Sequence, residues 1–206
     1  MPIGLKGNND GSGAIQIGGS DAISISTGLN TTFAGTITAT GTVAGTTGTL
    51  YPLVSGTAVS ATGTSIDFTG IPSWVKRITV MFNGVSTNGT SLVEIRLGTS
   101  GGFVSSGYLG ASGNLAGGAV GSTSSSTGMR VDNVGSASMA RNGLFTCVLL
   151  TGNTWAATSI MADSTTALLG FAGSSIALSG TLDRVRITTV NGTDTFDAGT
   201  INILYE

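Results

Sequence analysis

Apolar and polar side chains alternate along most of this chain in short runs separated by turn residues. In "RITVMF" Ile78, Val80 and Phe82 fall on one side, and Arg77, Thr79 and Met81 on the other. "LVEIRL" sets Val93, Ile95 and Leu97 against Leu92, Glu94 and Arg96, and "DRVRI" sets Val185 and Ile187 against Arg184 and Arg186. Ile201, Ile203 and Tyr205 share a face at the end of the chain. A two-residue period is that of the β-strand, whose successive side chains point to opposite faces. "LFTCVLL" differs: Phe145, Cys147 and Leu149 face one way, and the opposite face, Leu144, Val148 and Leu150, is also apolar. Further strand text stands at "MRVDNV", "TWAATSIMA", "ALLGFA" and "SIALSG". No window shows a helical period, because Glu, Lys, Gln and Leu are sparse and the poor helix formers Thr and Gly are common. About eight strands after residue 60 predict a two-sheet antiparallel β-sandwich of the jelly-roll kind.

The text before residue 61 is different. "AIQI", "AISIS" and "TITAT" alternate, but their apolar residues stand singly among glycines and threonines, and no charge occurs from Ala22 to Ile66. Such a segment buries too little to offset the entropy of ordering it alone. It is expected to be an extended Gly/Thr-rich β arm, residues 1–60, that packs between subunits and precedes a head of residues 61–206. Within the head, "NGVSTNG" (83–89) supplies two Asn-Gly pairs and predicts a loop. Residues 98–128, charge-free and dense in Gly and Ser, predict a long surface loop with at most one short strand, whose role the sequence leaves open.

Composition narrows the functional classes. Charged residues make up 9% of the 206, against about a quarter in ordinary globular chains, while hydrophobic residues reach 40% and the net charge is −2. That combination opposes disorder and fits a β-protein that hides surface in an assembly, since few charges keep a monomer soluble. Eight scattered Lys and Arg make no basic patch, so no nucleic-acid partner is expected. The absence of histidine removes Ser-His-Asp and Cys-His nucleophiles and histidine metal sites. The N-terminus lacks the apolar core of a signal peptide, and no run reaches spanning length, so synthesis in a cytoplasm and no membrane insertion are expected.

Individual candidates carry little chemistry. Cys147 reads as a buried thiol with no base nearby. Asp194 and Asp197 could pair for glycoside hydrolysis, but Asp beside Gly and Thr is ordinary turn chemistry. "GNNDGSG" and "GGSDAI" lack the repeat and terminal Glu of calcium loops. Neither a metal, a cofactor nor a catalytic residue is expected. Trp74 and Trp155 stand at strand starts, as core or interface residues do. Phe103 and Tyr108, in the charge-free loop, are the candidate exposed contact residues.

The stretch "GTSIDFTGIPSWVKRITVMFNGVSTNGTSLVEIRLG" (63–98) resembles a module of tail-fibre and other virion structural proteins of tailed bacteriophages. "SGTLDRVRITTVNGTDTFDAGTINILYE" (179–206) resembles its closing strands, and "GSDAISISTGLNTTFAGTITATGTV" is similar to Gly/Thr-rich shaft segments. The resemblance implies a homotrimeric appendage in the virion. Its arm would dock on other virion proteins, and its head would contact a host cell-surface glycan or protein. A trimeric capsid decoration protein, and more remotely a polysaccharide-degrading tailspike, stand as alternatives. No functional residues carry over with it.

Overall fold

The computed structural model describes residues 51–163 and 166–206 with their side chains and, of the first fifty residues, the backbone of four short strands. The chain divides into two compact units, residues 1–43 and 44–206. In the first, β1 (Gly4–Gly7) pairs antiparallel with β2 (Gly13–Gln16), which takes in most of "AIQI". "AISIS", "TITAT", "GNNDGSG" and "GGSDAI" lie at least in part outside the described residues, as does the expected packing of the arm between subunits. Strands β3 (Val43–Gly45) and β4 (Gly48–Leu50) form a second two-stranded sheet.

The head is an all-β antiparallel sandwich, with no helix among the described residues. Its smaller sheet runs β10 (Gly102–Phe103), β9 (Val93–Thr99), β17 (Arg184–Thr189), β7 (Ser65–Thr69), and β13 (Met129–Arg130) also pairs with β9. The larger runs β12 (Ala119–Ser125), β11 (Leu109–Ala116), β16 (Leu168–Ala177), β15 (Thr154–Asp163), β14 (Arg141–Thr151), β8 (Arg77–Thr87), β18 (Phe196–Tyr205). At its far edge β5 (Val54–Ser55) and β6 (Val59–Ser60) pair with β18. The sheet of the head therefore begins before residue 61, because residues 54–60 already hydrogen-bond along β18; Gly56 N donates to Ile203 O at 2.7 Å.

The alternation read in the sequence is the alternation of burial. Ile78, Val80 and Phe82 of β8, Phe145 and Cys147 of β14, Trp155 of β15, and Ile201 and Ile203 of β18 line the inner face of the larger sheet. They form one core cluster with Val93, Ile95, Leu97, Val185 and Ile187 of the smaller sheet. Burial raises the Cys147 thiol pKa, so the thiolate is disfavoured.

Three expectations are corrected. Among the described residues twelve strands, β7 to β18, follow residue 60 rather than about eight. The first Asn-Gly pair is not a turn: β8 runs through it, and Gly84, at φ 64°, makes a bulge where the pairing with β14 shifts register. Opposite it Gly199 has φ 91°, and a Cβ there would stand 2.4 Å from the Gly84 carbonyl oxygen, so the paired bulges need glycine. Finally, residues 98–128 are not a long loop. They hold β10 and the β11–β12 hairpin, whose in-register ladder from Gly110↔Ser125 to Ala116↔Ala119 closes over Gly117 and Gly118, both at positive φ. Side-chain size misled there, because main-chain pairing needs no bulk.

Tyr108 is likewise not an exposed contact residue. It is 1% exposed, and its hydroxyl accepts from Leu97 N at 2.9 Å and donates to Val104 O at 3.0 Å. Burial pushes its pKa up to about 12. The ring pins the start of β11 to the end of β9. Tyr108→Phe leaves a buried Leu97 N–H without its partner and should cost about 1–3 kcal/mol. Urea unfolding of the variant against wild type, with an unchanged slope, is the measurement.

Candidate functional site

The outward side chains of β14, β15, β16, β11 and β12 compose a continuous apolar face on the larger sheet. Register sets its rows. Leu144 stands beside Ile160, Ile160 beside Phe171, and Phe171 beside Gly113, while the next row runs Ala162, Leu169, Leu115, Val120. Leu144, Ile160 and Phe171 are 52%, 59% and 44% exposed, and Val120 is 77% exposed. Leu109, Val148 and Leu150 of the same strands are exposed as well, and between the apolar residues stand small or hydroxylated ones such as Thr146, Thr158, Gly173, Ala111, Ser122 and Ser124. None of the five strands places a charge there; their only charged residues, Arg141 and Asp163, are buried. The second apolar face of "LFTCVLL" is thus part of a surface that no strand covers among the described residues.

This face has relief. Phe171 lies over Gly113, where a Cβ would meet its ring at 2.7 Å, so glycine is what lets the ring lie down. Beside it is a hollow of about 510 Å³ floored by Ala111, Gly113 and Gly173 and walled by Val120 and Phe171. A second hollow, about 390 Å³, is bounded by Leu144, Thr146, Thr158 and Ile160. Apolar knobs and glycine-floored hollows share one uncharged plane, which suits contact with another apolar surface.

The opposite outer surface, on the smaller sheet, carries charge. Arg186 makes a two-pronged pair with Asp67, at 2.7 and 2.6 Å. Arg184 pairs with Asp183 at 2.7 Å, and Arg96 with Glu94 at 2.7 Å. Phe103, expected as an exposed contact, is half-buried; the Arg186 guanidinium lies 4.2 Å from its ring centre. The cation occupies the ring face a ligand would use. Glu94 is fully buried on this side, accepting from Thr127 Oγ1 at 2.8 Å with Arg130 at 3.5 Å. Alternation sets Glu94 on the face of β9 opposite Ile95 and carries no signal for the segment that covers it.

The other sequence candidates serve the fold. Trp155 is core, and Trp74 stacks on Tyr51 at 5.1 Å with Tyr205 at 6.0 Å. Asp194 accepts from Ser91 N at 2.8 Å and Asn191 Nδ2 at 2.7 Å, stitching the β8–β9 loop to the β17–β18 loop. Asp197 accepts from Ser86 Oγ. The Asn191 and Ser91 bonds hold the Asp194 pKa below the usual carboxylate range, opposite in direction to the general acid of a glycosidase. Among the described residues no three His, Cys, Asp or Glu are grouped to hold a metal.

No family model matches the chain, and neither the curated proteins nor the solved structures compared with it contain a match.

The pH dependence of stability follows from two carboxylates. The hydrogen bond from Arg184 lowers the Asp183 pKa, as those from Asn191 and Ser91 lower that of Asp194. A lowered folded pKa gives stability that is present above the unfolded value and lost as pH falls through the folded one. With no histidine, melting midpoints should be flat from about pH 6 to 8 and fall below about pH 4. Asp194→Asn should shrink the acid-side fall, as followed by circular dichroism.

Proposed function

We propose that this chain is a structural subunit of a tailed-bacteriophage virion, a short trimeric tail fibre or receptor-binding protein that attaches the particle to the host surface. One observation carries most of the reading: the outer face of five adjacent strands of the sandwich head, β14, β15, β16, β11 and β12, is apolar and uncharged, which suits a subunit built to be covered. The resemblance of residues 63–98 and 179–206 to tail-fibre phrases supports the class of particle, and the charge-free Gly/Thr-rich arm supports docking on other virion proteins.

In this reading the head presents polar loop tips to its target. Asn88, Ser91, Asn191 and Asp194 occupy the end where the β8–β9 and β17–β18 loops meet. A glycan contact there would rest on hydroxyls, amides and backbone groups. The burial of Tyr108 and the covering of Phe103 favour a second reading, a trimeric capsid decoration protein, because they remove the aromatic platform a sugar-binding tip would offer.

Gold-labelled antibody against the head, imaged on intact particles, separates these readings. Label at the tail is the expected outcome. Label over the head shell favours the decoration protein, and particles without label sink the virion assignment.

A further inference from the structure

We propose that the outer face formed by β14, β15, β16, β11 and β12 of the larger sheet is a subunit interface, and that its occupant is a second copy of this chain. The inference deepens the self-association of the preceding reading and does not depend on the virion assignment.

Three features select a copy of the chain over a different partner. The first is size. Five strands at about 4.8 Å spacing, seven to eleven residues long at about 3.4 Å per residue, span on the order of 700 Å². A standard stable interface takes about 800 Å² per partner. The second is charge. A partner recognised by complementary charge needs an opposite charge to meet, and this face has none. Another uncharged face, such as its own, leaves no ion unpaired. The third is shape. Leu144 and Ile160 stand as knobs on β14 and β15, whereas the larger hollow lies over the neighbouring β16 and β11, at Gly173 and Gly113. Knob and hollow are offset on one plane, so the knobs of one copy can enter the hollow of the next. Such a contact closes as an isologous pair or, head to tail, as a ring.

Two measurements on the full-length chain test it. Sedimentation equilibrium should give an oligomer for wild type, and the mass of a single chain for Ile160→Lys with β-sheet circular dichroism retained. The side chain is more than half exposed, so its change costs the fold little. Should that variant misfold, thiol labelling decides. The one native cysteine, Cys147, is buried and silent, so a maleimide reads only an introduced thiol. Leu144→Cys should react much more slowly than Thr69→Cys, which sits exposed on the smaller sheet, and the difference should vanish on dilution to single chains. A wild-type monomer overturns the proposal, and so does an oligomer that survives Ile160→Lys or in which both introduced thiols react alike. A mass of three chains agrees with the trimer proposed above. A mass of two keeps this interface and removes the trimer.

Discussion

Interleaving of Ile78, Val80, Phe82, Phe145 and Ile203 with Ile95, Leu97, Val185 and Ile187 holds the two sheets together, and everything else in the head follows from that contact. Burying these side chains fixes which face of each strand points inward. A one-residue slip would exchange every inner residue for an outer one, so register along β8, β14 and β18 is strongly specified. Where the strands must bend to keep facing the core, the register shifts at the Gly84 and Gly199 bulges rather than slipping. The smaller sheet, however, is narrower than the larger. On the inner side of β16 and β15, coverage comes from the segment after β13 instead: Ser159 Oγ donates to Val131 O at 2.6 Å, and a Cβ on Gly170 would stand 2.5 Å from Asp132 Cβ. Small residues on those inner positions are the cost of admitting an irregular backbone.

That segment brings buried charge with it. Arg141 and Asp132, both fully buried, meet at 2.6 Å, and Arg141 also donates to Val134 O at 2.6 Å. A buried pair of this kind is weak evidence for net stability, because desolvation offsets most of the attraction. What it fixes is path. Removing either member strands a charge, at about 3–5 kcal/mol, so the segment is held where its carbonyl and carboxylate meet the guanidinium at the start of β14. Glu94 does the same on the other side, drawing Thr127 and Arg130 over the smaller sheet.

This explains which parts of the molecule are legible in sequence. Faces of β8, β9, β14, β17 and β18 could be read because their inner residues are large and their period is two. The β11–β12 hairpin could not, since Gly, Ser and Ala alternate with nothing to distinguish inside from outside; the ladder is made by main-chain groups alone. Tyr108 reads as exposed because the charge-free Gly/Ser-rich text around it offers little local core to join, yet its hydroxyl is held by Leu97 and Val104 of the preceding strand and loop. The candidate face was visible only in part. Leu144, Val148 and Leu150 announced a second apolar side to β14, but Phe171, Val120 and Leu115 join it through register between strands, which the period within one strand does not carry.

The low charge of the chain is therefore unevenly distributed, and the distribution is informative. Arg96 stands directly across from Arg186, and each is neutralised by its own carboxylate, Glu94 and Asp67. A surface that accommodates two guanidinium groups side by side is built to face water. On β14, β15, β16, β11 and β12 of the larger sheet the outward positions hold Leu, Ile, Phe, Val, Thr, Ser, Ala and Gly, and the exposed charges of that sheet, Arg77 and Asp197, stand on β8 and β18. The edges differ in the same sense: β5 and β6 cover β18 at one end, whereas β12 leaves its outer ladder groups without a strand partner among the described residues and lacks the Lys, Pro or bulge that guards an exposed edge. An uncharged face that ends in an unguarded edge would be a liability in a solitary domain. In an assembly that covers both, the missing charges leave no ion to desolvate.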